Sequence, residues 1–140
     1  MIEHDWFMRQ IQMLVQFVAR LVFGKDAIEY VVHDRDHPTA SDLIHAELLR
    51  LIERNEFCKA EDYLFANFSP DNEEHLKIAL DFYQRLDQFD DDILEKNSFP
   101  REEIAQGLRE LLNRSRLSAY GLFDSLDAIP ADTNKPEGHV

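Results

Sequence analysis

The residues best placed to do chemistry are His33 and His37 of "HDRDH", four positions apart. On a helix that spacing puts two imidazoles on one face, as in helical zinc-binding pairs. Pro38 disfavours helical geometry at His37. Asp34 and Asp36 do not supply the glutamate spacing of a hydrolytic zinc motif. The pair is a weak metal candidate, and a solvated connector is the reading that competes with it. Asp90, Asp91, Asp92 and Glu95 form a second cluster, but a calcium loop alternates its ligands around a glycine, and this stretch does neither. The acids are read instead as favouring the positive end of a short helix. Cys58 would need a histidine base for nucleophilic catalysis, and no local signature provides one. No Gly-rich phosphate loop, G-x-S-x-G elbow or H-E-x-x-H motif is present. The sequence thus carries no catalytic motif and implies no cofactor.

Elements must position whatever these side chains do, and composition bounds them. At 140 residues, the chain has the length of one domain with a real core. Hydrophobic content of 44% excludes disorder of the whole chain. The formal net charge of −13 repels phosphate backbones and anionic lipid, which excludes nucleic acid as the natural partner. A single cysteine fits a reducing cytoplasm, and the N-terminus has no basic region of the signal-peptide kind.

Four glycines and five prolines sit at apparent boundaries, so the chain reads as all-α, with about six or seven helices. The first runs from Glu3 or His4 to Phe23 and stops at Gly24, a residue that readily takes the left-handed conformation. A connector containing either one helical turn or a short extended piece follows. The second helix starts near Ala40 with Thr39 or Ser41 as cap, and Ile44, Leu48, Leu51 and Ile52 fall on one face, beside Leu43. Asn55 ends it. The third runs from about Phe57 to Asn67. Ser69 as cap and Pro70 at the first helical position open the fourth, which ends near Leu86. A short acidic helix spans about Asp91 to Lys96. Ser98 or Phe99 before Pro100 opens the sixth, and a last helix carries Leu117, Tyr120, Phe123 and Leu126. Residues 1–128 read as one helical domain, and 129–140 as a disordered tail without apolar periodicity.

The stretch "DLIHAELLRLIERNEFCKAEDYLFAN" resembles a tetratricopeptide-type (TPR-like) helical hairpin. Asn55, Glu56 and Phe57 stand where that repeat has its turn and aromatic, Ala60 takes the small position, and Leu64 the large apolar one. The resemblance covers roughly residues 40 to 68 and implies hairpin packing and peptide or protein partners. Together, "MRQIQMLVQFVARLVFGKD", "ALDFYQRL" and "FPREEIAQGL" resemble a small uncharacterised family from Gram-positive bacteria. That likeness implies a cytoplasmic helical domain and carries no activity.

The long first helix is apolar on two ridges. Wound at ~100° per residue, Phe7, Met8, Ile11, Leu14, Val15, Val18, Leu21 and Val22 form a wide core stripe. Trp6, Met13 and Phe17 form a second ridge, and Arg9, Gln12, Gln16 and Arg20 a polar strip. Those polar residues exclude a membrane span, which needs about 20 nearly uninterrupted apolar residues. The second ridge is expected either to be covered by the last helix or to make the chain a homodimer. The expectation adopted is a self-associating interaction module, with an unidentified protein or peptide as a further partner. A metal-dependent enzyme or regulator using His33 and His37 is the alternative.

Overall fold

The computed structural model describes the backbone of residues 2–115 and the side chains from Asp5 onward. Leu117, Tyr120, Phe123, Leu126 and the tail expected from residue 129 lie outside the described residues. Within them the chain is all-helical: α1 (Ile2–Val18) running into a π-helical turn (Ala19–Phe23), α2 (Ala40–Glu53), α3 (Phe57–Asn67), α4 (Glu73–Asp87), α5 (Asp91–Lys96) and α6 (Arg101–Arg114). No described helix is long and apolar enough to cross a membrane.

α4 is the centre of the packing, touching α1, α2 and α6, while α2 pairs with α3 and α1 with α6. Its sequence explains this role. Leu76, Ile78, Ala79, Leu80, Phe82, Tyr83 and Leu86 are all buried, too many for one amphipathic stripe and therefore suited to neighbours on several sides. Phe82 is fully inside with them. Arg101 fastens the lower end. Its guanidinium donates to the Asp87 carbonyl and carboxylate at 2.5 and 2.7 Å, to the Phe89 carbonyl at 2.5 Å and to Asp91 at 3.1 Å. The end of α4 and the start of α5 thereby gain partners they would otherwise lack.

Helix boundaries follow from local chemistry. Thr39 accepts from the Asp42 N–H at 3.0 Å while the Asp42 carboxylate accepts from the Thr39 N–H at 2.9 Å, a reciprocal capping box. Asn55 ends the α2–α3 turn with φ 58°. Two starts differ from expectation. α4 is capped by Asn72, whose Oδ1 accepts from Glu74 and His75 at 2.8 and 3.2 Å, rather than by Ser69. Ser69 and Asn72 instead close a turn at 3.1 Å around Pro70, because an asparagine immediately before the acidic first turn is the better cap. Pro100 likewise sits at the N-cap of α6, one position earlier than a first-turn proline.

The end of α1 also departs from a regular wheel. Residues 19–23 form π-type bonds closed by Gly24 at φ 66°, with Lys25 N–H reaching the Ala19 carbonyl at 3.2 Å. A π turn holds more residues than an α turn, so each advances the wheel by less. Leu21, expected in the core stripe, falls back toward Phe17 and is 48% exposed.

Candidate interaction site

α1 presents two different flanks to its surroundings. On one, Met13 and Phe17 are 41% and 39% exposed, and the π turn adds Leu21 to them. This is the second ridge, with one correction to its membership: Trp6 is buried against the chain, its ring edge-on to Phe7 at 4.8 Å. The bare apolar stripe is therefore Met13, Phe17 and Leu21, at i, i+4 and i+8. The polar strip beside it, Arg9, Gln12, Gln16 and Arg20, faces water as expected.

The other flank forms one wall of a cleft against α4. Ile11, Gln12, Val15 and Gln16 face Gln84, Asp87 and Gln88 across a cavity of about 330 Å³, with Asp26 at its rim. Gln84 and Gln88 also line a second cavity of about 470 Å³, with Ala27, Ile28, Glu29, Asp81 and Arg85. Residues 27–32 of the connector are neither helix nor sheet, and Ile28 and Tyr30 are buried while Glu29 and Val31 are exposed. That period of two is the signature of extended backbone, which resolves the connector as an extended strap. Gln84 holds it, donating its amide to the Ile28 carbonyl at 3.0 Å.

A polar network lies beneath the strap. Tyr30 donates to Asp42 at 2.6 Å and lays its ring on His45, centroids 4.6 Å apart. His45 Nε2 meets Asp81 Oδ2 at 2.9 Å with both side chains buried. Arg85 Nε donates to the same Asp81 oxygen at 2.7 Å. Burial alone would raise the Asp81 carboxyl, but the bonds from His45 and Arg85 outweigh it and leave its pKa lowered. The Tyr30 hydroxyl, then the Thr39 N–H, hold Asp42 well below the usual carboxylate range. Sequence reasoning passed over His45 and Asp81. The available signal was that each occupies an apolar-face position, His45 in line with Leu48 and Ile52 and Asp81 between Leu80 and Phe82, where an unpaired polar group would be costly.

The histidines singled out first do not converge. His33 points to Asp42 and Glu74, at 3.3 and 3.6 Å, and exposed His37 points to Asp34 at 3.2 Å. Among the described residues no three His, Cys, Asp or Glu side chains gather as a metal site. Asp90 caps α5, and Asp91 and Asp92 occupy its first turn. Cys58 is exposed at the start of α3. Partial burial, then the carboxylates of Glu103, Glu61 and Asp62, push its thiol up, away from the thiolate a nucleophile requires.

A family model matches residues 1–116, spanning every described helix. The chain belongs to DUF6483, a family of unknown function. No curated protein and no solved structure matches it. In this DUF6483 chain the α1 surface thus offers the Met13–Phe17–Leu21 stripe and the amide-lined cleft, while Val31, Val32 and Leu43 are exposed elsewhere.

Proposed function

We propose that the protein is a cytoplasmic helical interaction domain that forms a homodimer through α1, by the stripe of Met13, Phe17 and Leu21. That exposed stripe is the observation that carries the reading. Charge distribution supports it. Residues 1–25 contain two acidic and three basic side chains, for a balance of +1, which leaves −14 for the rest of the chain. Two copies therefore repel least when they meet along α1. Stripe residues four apart also form the ridge that packs into a like ridge on a second helix.

Magnitudes bound the affinity. With Trp6 buried, the bare apolar area is roughly 250 Å² per copy, taking ~150–250 Å² for a large side chain. At ~25 cal/mol per Å² from two copies, this only just offsets an association cost of ~4–15 kcal/mol. The dimer is accordingly weak and reversible, no tighter than about micromolar. Within each copy, the α2–α3 pair supports the TPR-like reading: Ala60 and Leu64 are buried at its seam, and Asn55 makes the tight turn. The lone exposed thiol of Cys58 supports a reducing compartment.

Sedimentation equilibrium at low and high salt tests the proposal. Twice the monomer mass, with association equal or tighter in about 1 M salt as repulsion is screened, is the expected result. A monomer at every concentration up to about millimolar, or a dimer that salt dissolves, would remove the apolar stripe as its cause.

A further inference from the structure

The chain already contains one extended backbone held against α4. The strap lies beside that helix, and Gln84 takes the Ile28 carbonyl at 3.0 Å. One turn further along α4, Gln88 repeats the same side chain beside the first cavity, where Gln16 of α1 faces it. Among the described residues neither the Gln16 nor the Gln88 side chain has a hydrogen-bond partner within the chain. A glutamine amide offers one acceptor and two donors, which matches the alternating groups of an extended peptide backbone. Gln84 and Gln88 line both cavities, so the residue type that fixes the strap recurs beside open space.

Charge selects what enters. Four carboxylates line the two cavities, Asp26, Glu29, Asp81 and Asp87, against one guanidinium, Arg85. Asp81 and Asp87 are engaged by His45 and Arg85 and by Arg101. Glu29 is exposed, and among the described residues Asp26 is held by Arg20 in a solvent-facing pair at 2.9 Å, an interaction that a ligand cation displaces easily.

We propose that this cleft binds an extended basic segment of another polypeptide, its backbone held by the Gln16 and Gln88 amides and its lysine or arginine side chains by Asp26 and Glu29. The proposal names a partner class for the interaction domain. It uses a different flank of α1 from the Met13–Phe17–Leu21 stripe, about 100° round the helix, so either reading stands if the other fails.

The test is a nuclear magnetic resonance titration of the ¹⁵N-labelled full chain with an acetylated and amidated Ala-Lys-Ala-Lys-Ala peptide. Two controls carry the same charge: the peptide with N-methylated backbone, and 1,5-diaminopentane. The expected result is saturable shifts confined to the side-chain amides of Gln16, Gln84 and Gln88 and to residues 26–29. The N-methylated peptide binds at least about tenfold more weakly, since it cannot donate backbone hydrogen bonds. Gln16→Ala with Gln88→Ala, both at exposed or half-exposed positions, lowers the affinity about tenfold with an unchanged circular dichroism spectrum. No shifts up to millimolar peptide, shifts spread across the acidic surface, or equal binding of the controls would each overturn the proposal. Dimer and monomer read out alike in this titration.

Discussion

Glu61 shows how one residue sets a local stability balance. Its carboxylate accepts from the Tyr83 hydroxyl at 2.7 Å and occupies the space left by the missing side chain of Gly107, where an added Cβ would lie 1.8 Å from Glu61 Oε2 and 2.8 Å from the Tyr83 oxygen. Burial, only partly countered by the Tyr83 bond, raises its pKa. A raised carboxylate pKa means the folded state holds the proton more tightly, so stability is lost as pH rises from the ordinary value of ~4.3 through the folded one. Glu61→Gln keeps an acceptor for Tyr83 without the charge. It is expected to raise the melting temperature by a few degrees at pH 7 and change it little at pH 4, as calorimetry at both pH values would show. Gly107→Ala gains ~1 kcal/mol of helix propensity but expels the Glu61 carboxylate from the buried Tyr83 hydroxyl, at ~1–3 kcal/mol. It should destabilise the native chain more than one already carrying Glu61→Ala, where only the 2.8 Å approach to the Tyr83 oxygen remains, and a double-mutant cycle in urea measures that difference. None of this was legible in the sequence, because Glu61, Tyr83 and Gly107 lie on three helices and only packing brings them together.

Among the elements, legibility tracked how local the cause was. α3 and α5 have the expected bounds because their signals are local, the tight Asn55 turn before α3 and the acidic first turn of α5. The start of α4 was misread because Ser69-Pro70 and Asn72 both carry helix-start chemistry, and the stronger side-chain cap prevailed. Leu21 was misassigned because a wheel of constant pitch has no place for a π turn. Leu43, beside the apolar face of α2, is exposed, while Asp42 and His45 turn in to meet the strap, a partner that sequence periodicity does not reveal. The α2 cap gives a measurable consequence. Thr39→Ala removes the acceptor for the Asp42 N–H and should cost about 1 kcal/mol in urea unfolding. Asp42 has a depressed folded pKa, so its stabilisation is present above the ordinary value of ~3.9 and is lost as pH falls below it. Native chain should therefore weaken steeply in acid, whereas Asp42→Asn should be weaker at neutral pH and flatter below pH ~4. Denaturation midpoints across that range decide between these slopes.

At the scale of the whole molecule, the sequence made the helical class and the second ridge of α1 visible. It overstated the size of that ridge, since nothing local says that Trp6 folds against its own chain. The cleft was less visible still. Its amides are ordinary surface glutamines until α1, the strap and α4 are set side by side. α1 leaves a short apolar stripe on the least acidic part of an acidic chain, and whether a second copy covers it decides the proposed function. The most direct test is sedimentation equilibrium of the native chain beside a Met13→Glu, Phe17→Glu double variant, with circular dichroism on both. Both positions are substantially exposed, so the variant should keep its fold. A reversible native dimer and a folded monomeric variant are the predicted result. A native chain and a variant that sediment alike, whether both as monomer or both as dimer, would contradict it.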